Sequence, residues 1–313
     1  AGGSWIANVY VSAEAGTWTV TGNYGGLIDT ASLTVNGGAL DHIIISPDSA
    51  TVTAGDVQTY TAEAFDEFDN TLGDVTTSTS FSIDSAAGGS WSANVYTSAT
   101  AGTWTVTGSY SGVSDTASLT VSVGSADHIV VSPDGATIIA GSSQAYTAQT
   151  ADQFGNPIAD VTGDTTFSID TGAGGSWAAN VYTSARAGTW TVTGDYGGLT
   201  DTAVLNVTAA SVSYITILPD GVAIAAGDSQ TYTAQSFDEF GNLVADVTDT
   251  TVLSIDVGAE GTWAANIYTS AKAGTWTVTG TCLGLTDSAS LTVTAGPLHH
   301  IVISPDSATI AAG

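Results

Sequence analysis

Positive charge is almost absent from this chain. Lys and Arg total 2 against 30 Asp and Glu, for a formal charge of −28. No basic patch can be assembled from two residues, so nucleic acid and anionic membrane surfaces are excluded as partners and cations are favoured. Cysteine occurs once, at Cys282, which rules out an internal disulfide. Cys282 stands where equivalent positions carry Tyr24, Tyr110 and Tyr196, so it reads as an apolar exchange. No run of about 20 apolar residues exists to insert into a membrane. Methionine is missing altogether, and the sequence opens at Ala1 in the middle of a repeating pattern. The expectation is a processed or partial chain in which a signal peptide would not be visible.

Repetition takes the place of what is missing. The octapeptide AGTWTVTG begins at residues 15, 101, 187 and 273, always 86 residues apart. The markers SPD (46–48, 132–134 and 304–306, with LPD at 218–220) and GGSW (2–5, 88–91 and 174–177, with EGTW at 260–263) keep that spacing without insertion. Periodicity on this scale signals an array of like units. Units are expected at 40–125, 126–211 and 212–297. Residues 1–39 then form the C-terminal part of a further unit, and 298–313 the N-terminal strands of another.

Within a unit every segment reads as strand. GTWTVTG alternates strictly, with Trp104 and Val106 on one face and Thr103, Thr105 and Thr107 on the other. Such alternation between glycines marks a half-buried antiparallel strand. VQTYTAEAF sets Gln58, Tyr60, Ala62 and Ala64 opposite Val57, Thr59, Thr61 and Glu63, and DTASLTV sets Ala117, Leu119 and Val121 on one side. No apolar spacing of three to four would sustain a helix. Seven or eight short strands per unit, bounded by turns of uneven length, predict an all-β Greek-key sandwich.

The motifs Y-T-A-x-x-F-D-E-F-G-N, D-V-T, F-S-I-D, A-G-T-W-T-V-T-G and D-T-A-S-L-T-V resemble bacterial immunoglobulin-like (Big) repeats, most closely the invasin/intimin type of microbial surface proteins. The resemblance covers the whole chain. It implies tandem immunoglobulin-like sandwiches acting as a stalk at the cell surface, with binding in a distal module that this sequence does not contain. Adhesion, spacing or a surface coat is the implied role.

Acidic positions recur with the repeat. One set comprises Asp66, Asp152 and Asp238 with Asn70, Asn156 and Asn242; others are Asp74, Asp160 and Asp246, and Asp115, Asp201 and Asp287. Calcium takes six to eight oxygen ligands. In an immunoglobulin-like sandwich the D-E-F-G-N turn and the Asp115 position would share one pole, so these twelve residues are candidate Ca2+ ligands. The alternative is that Asp and Asn serve as turn residues bonding nearby backbone. A second reading is a carbohydrate- or receptor-binding array in which Tyr10, Tyr96, Tyr182 and Tyr268 present exposed rings to surface glycans. No H-E-x-x-H, G-x-S-x-G or phosphate loop with lysine occurs, so catalysis finds no support. The expected partners are further copies of the chain or continuing repeats in a linear assembly, outside the cell. Open strands at the two ends fit either a window cut from a longer polypeptide or strand exchange between neighbours.

Overall fold

A computed structural model describes residues 2–311 and 313. The chain is all-β, with only single-turn 3-10 segments breaking the strands among the described residues. Cα proximity divides it into two compact units. The first holds residues 1–130, 148–165 and 195–201, and the second holds 131–147, 166–194 and 202–313.

The first unit begins with two hairpins. β1 (Ser4–Ile6) pairs with β2 (Val9–Val11), and β3 (Gly16–Tyr24) with β4 (Leu27–Val35). A full sandwich follows: β5 (His42–Ser46), β6 (Ser49–Thr53), β7 (Val57–Thr59), β8 (Thr61–Phe65), β9 (Thr71–Asp74), β10 (Ser80–Ile83), β11 (Ser90–Ser92), β12 (Val95–Thr97), β13 (Gly102–Tyr110) and β14 (Val113–Ser122). One layer runs β10-β13-β14-β6, with β6 parallel to β14 and the other pairs antiparallel. The other layer comprises β5-β8-β9 and β11-β12-β7. Chain neighbours therefore cross between layers, which is the immunoglobulin-like Greek key. The expectation of seven or eight strands is corrected to ten. β7 and β8 are one extended stretch that changes partner at Tyr60, whose N–H bonds the Asn94 carbonyl instead of a ladder partner.

The alternation read from sequence sets the core. Ile43, Ile45, Tyr60, Ala62, Ala64, Tyr96, Val106, Ala117, Leu119 and Val121 are buried together. Tyr60, Phe81, Trp91 and Tyr96 form an aromatic chain with ring centroids 5.1–6.3 Å apart. The Tyr60 hydroxyl and Trp91 Nε1 have no protein hydrogen-bond partner. An unmade bond costs about 1–3 kcal/mol. An aromatic ring burying about 150–250 Å² at about 25 cal/mol/Å² gains about 4–6 kcal/mol, so ring burial wins.

In the second unit the same layers recur. Val222–Ala225 runs parallel to Leu285–Thr294, which pairs with Gly274–Cys282 and through it with Val252–Ile255. Tyr214–Leu218 pairs with Thr233–Phe237. Ile217, Tyr232, Tyr268, Val278 and Leu291 lie in this core. Cys282 is buried beside Thr250 Oγ1 at 3.5 Å, in keeping with an apolar exchange for tyrosine. Residues 298–311, expected as strands, carry no regular element and are exposed. Where the same motif forms a strand, at His42–Ser46, it is paired with Thr61–Phe65.

Candidate functional site at the Asp–Asn turns

The D-E-F-[DG]-N turn follows β8 and is held by its own first residue. Asp66 Oδ1 accepts the N–H groups of Phe68 (3.0 Å) and Asn70 (2.9 Å), closing an Asx-type turn. Asp66 Oδ2 accepts the Gly38 N–H at 2.7 Å and Asn70 Nδ2 at 3.0 Å. The carboxylate thus fixes both the linker ahead of β5 and the Asn70 amide. Asn70 then reaches the preceding hairpins: its Oδ1 accepts the Ala15 N–H and its Nδ2 donates to the Ala13 carbonyl, both at 2.7 Å.

The arrangement is written three times with the same atoms. Asp152 takes Gly124 N–H, Phe154 N–H and Asn156 (2.8–3.0 Å), while Asn156 bonds Ala101 N–H and the Ala99 carbonyl at 2.8 Å. Asp238 takes Ala210 N–H, Phe240 N–H and Asn242 (2.8–2.9 Å), while Asn242 bonds Ala187 N–H and the Ala185 carbonyl at 2.8 Å. Each clamp lies wholly inside one of the two compact units. The aromatic residue of the turn completes it. A Cβ at Gly55 would stand 3.0 Å from the Phe154 ring, and one at Gly141 2.7 Å from Phe240. Both glycines also have positive φ (96° and 86°), so room and backbone both require glycine there.

Electrostatics follow from these bonds. The Gly38 N–H, then the Asn70 amide, hold Asp66 down at a pKa of about 2. At Asp152 burial pushes the pKa up, but the Asn156 amide and the Gly124, Asn156 and Phe154 N–H groups outweigh it and leave about 2. Asp238 is lowered with the same balance, burial opposing and the Asn242 amide and N–H donors prevailing. The three carboxylates stay ionised because hydrogen-bond donors, not cations, surround them.

The other acidic candidates have separate tasks. Asp74, Asp160 and Asp246 accept the N–H of Thr76, Thr162 and Thr248 at the 3-10 turns. Asp115 and Asp287 accept the N–H of Ile45 and Ile217 inside their sandwiches. Asp201 lies on the strand Leu199–Thr208. The Asp66 carboxylate bonds the Gly38, Phe68 and Asn70 N–H groups and the Asp115 carboxylate the Ile45 N–H, so the two serve different backbone segments. Among the described residues no group of three or more His, Cys, Asp or Glu side chains is arranged to hold a metal.

The tyrosines expected to face glycans are also corrected. Tyr96, Tyr182 and Tyr268 are buried, and Tyr10 is half-buried. Tyr96 sits opposite Trp91 in the β11–β12 hairpin and donates to the Gly88 carbonyl at 2.6 Å. The short hairpin turns this ring inward. Sequence reading missed Asn70, Asn156 and Asn242 as ties to the chain 55–57 residues earlier. The available signal was the constant A-x-A-G ahead of each TWTVT.

No protein-family model matches the chain, and no curated protein matches it. Among solved structures it is similar to FdeC, an Escherichia coli adhesin, at 20% identity, covering 83% of this chain and 100% of that one with a TM-score of 0.37. Domains 1–6 of the surface layer protein SbsC share 19% identity over 93% of this chain and 46% of that one, with a TM-score of 0.27. The extracellular cadherin domains 1–5 of protocadherin gamma B2 share 12% identity over 87% and 63%, with a TM-score of 0.30. At these scores the likeness adds nothing to the strand order described above.

Proposed function

We propose that this chain is a structural extracellular repeat protein, a stalk or spacer of tandem immunoglobulin-like sandwiches at a cell surface, of the invasin/intimin type and without catalysis. The observation that supports this most directly is the triple Asp–Asn clamp. A side-chain amide that donates to one backbone group and accepts from another two residues away restrains rotation as well as separation. A flexible string of modules needs only a tether, so three copies of such a clamp fit a part selected for stiffness. Two basic residues in 313 also leave trypsin-like proteases little to cut, which suits life outside the cell.

Small-angle scattering of the chain carrying Asn70→Ala, Asn156→Ala and Asn242→Ala together tests the reading. The expected result is a broadened pair-distance distribution with unchanged tryptophan and tyrosine near-ultraviolet dichroism. An unaltered distribution in the triple variant removes the mechanical role and the stalk reading with it.

A further inference from the structure

Asn36 is the one asparagine of the chain that is followed by glycine; every other precedes Val, Ile, Leu, Thr, Tyr or Pro. The side-chain carbon of Asn or Asp lies within reach of the next residue's backbone nitrogen, and a bond between them closes a five-membered ring. Two things ordinarily prevent it. The side chain of the next residue crowds the nitrogen, and a hydrogen bond holds its N–H in place. Glycine lacks the Cβ and removes the first obstacle. The second depends on the fold.

Asn36 and Gly37 are exposed and lie in irregular backbone just past β4. The Gly37 N–H makes no hydrogen bond among the described residues, whereas the next one, from Gly38, is held by Asp66 Oδ2 at 2.7 Å. This openness belongs to the place in the repeat. Ser122, Thr208 and Thr294, at the position of Asn36, are exposed, and the N–H groups of Val123, Ala209 and Ala295, at the position of Gly37, are likewise unbonded among the described residues. Two Asp-Gly pairs have the sequence for the same ring but not the freedom. Gly135 donates to the Val204 carbonyl at 2.9 Å while Asp134 Oδ1 accepts the Val204 N–H at 2.7 Å. Gly221 donates to the Ser290 carbonyl at 3.0 Å while Asp220 Oδ1 accepts the Ser290 N–H at 2.7 Å. In both pairs one residue of the neighbouring strand pins the nitrogen and the carboxyl together.

We propose that Asn36–Gly37 is a site of spontaneous deamidation in the folded chain, and that the Asp134–Gly135 and Asp220–Gly221 bonds are protected by their strands. The Gly37 nitrogen gives its proton to solvent base and bonds to Asn36 Cγ. The Cγ–Nδ2 bond breaks, and Nδ2 takes up a proton and leaves as ammonia. Water then opens the ring. Cleavage between Cγ and the Gly37 nitrogen leaves aspartate; cleavage between the Asn36 main-chain carbonyl carbon and that nitrogen leaves isoaspartate. The balance is one amide and one water consumed, one carboxylic acid and one ammonia formed. Either product adds a negative charge to an acidic chain, and isoaspartate also lengthens the main chain by one carbon. The change falls two residues ahead of the Gly38 N–H that Asp66 holds, so it loosens that linker as the protein ages. The site does not depend on the stalk reading.

Peptide mapping of the folded chain through a time course in warm, mildly alkaline buffer made with heavy-oxygen water tests it. The peptide holding Asn36 should show the mass change of amide-to-acid exchange with one solvent oxygen incorporated, and should accept a methyl group from an isoaspartate methyltransferase. The peptides holding Asp134 and Asp220 should do neither. A synthetic peptide spanning 33–40 gives the rate without a fold. A site that needs no opening of the structure should react within about tenfold of it. Gly37→Val installs the residue found at position 123, and its β-branched side chain should slow the reaction roughly tenfold or more. Asn36→Ser should leave no reaction there. An Asn36 that stays intact while the peptide converts overturns the proposal. So does isoaspartate at Asp134 or Asp220 that keeps pace with Asn36, or a Gly37→Val chain that reacts as fast as the wild type.

Discussion

A single amide decides how each turn meets the chain before it. Asn156 is buried and makes two bonds to backbone 55–57 residues away, besides its bond to Asp152. Each such bond contributes about 0.5–1.5 kcal/mol net, and a buried group left without a partner costs about 1–3 kcal/mol. Asn156→Ala should therefore destabilise the region by about 2–3 kcal/mol. Asn156→Asp keeps the shape but turns the donor into an acceptor and sets a second carboxylate beside Asp152. It should cost more than Asn156→Ala at pH 7. The pH dependence has a definite sign. Asp66 and Asp152 have folded pKa values of about 2, below the unfolded value. Their contribution is present above about pH 4 and is lost as pH falls towards 2. Thermal melts of the two Asn156 variants should thus differ at neutral pH, and the deficit of Asn156→Asp relative to Asn156→Ala should shrink and then reverse as pH falls, because protonation removes the second charge and gives the introduced carboxyl a donor that alanine lacks. Equal melting points at pH 7 would show that the amide's donor does not matter.

At the scale of strands and turns, a protease reads the clamp. Both basic residues precede an Ala-Gly-Thr-Trp turn, and in both the residue's own carbonyl accepts the indole Nε1 four positions on, at 2.9 Å. Asn242 then separates them: it binds the Ala185 carbonyl and the Ala187 N–H around Arg186. Around Lys272 no such bond is made among the described residues, and Ala273 is exposed where Ala187 is half-buried. The Lys272–Glu260 ion pair at 3.2 Å is a surface pair and protects little. Limited trypsin digestion of the folded chain should cut after Lys272 and spare Arg186, and Asn242→Ala should open Arg186. Mass spectrometry showing Arg186 cut first in the wild type would contradict the clamp. The same turns mark the limit of what sequence conveys. Period-two alternation placed Val106, Leu119, Tyr60 and Ala62 in the core because a strand's side-chain period depends on local geometry alone. Fold class followed from that. The partners of Asp66 and Asn70 were not legible, because they are backbone groups of Gly38, Ala13 and Ala15, and any residue supplies an N–H or a carbonyl. Tyr96 was misread as exposed because its facing is set by pairing with Trp91 across a two-residue turn, and not by its own neighbours. The change of partner at Tyr60 was invisible for a similar reason: one continuous alternation serves two sheets.

For the molecule as a whole, charge is the unbalanced quantity. Thirty acidic side chains face two basic ones, so mutual repulsion is relieved by solvent ions and not by internal pairs. Two ways of relieving it make different predictions. A bound calcium ion stabilises only the folded state, with a strength set by its own affinity and with selectivity over magnesium. Diffuse screening depends on ionic strength and is indifferent to which divalent ion supplies it, with a range of about 8 Å at 0.15 M salt. The carboxylates of Asp66, Asp152 and Asp238 are already saturated with N–H donors, and Asp115 and Asp287 hold strand N–H groups. Recruiting them to a cation would break the bonds that define the turns. Screening is therefore the expected mode. The melting temperature should climb with sodium chloride, and calcium and magnesium chlorides at matched ionic strength should raise it equally. Chelator added at constant ionic strength should leave it in place. A rise produced by micromolar calcium but not by magnesium would mean that carboxylates outside these hydrogen bonds form a true site, and the assignment of the acidic residues to backbone capping would then be incomplete.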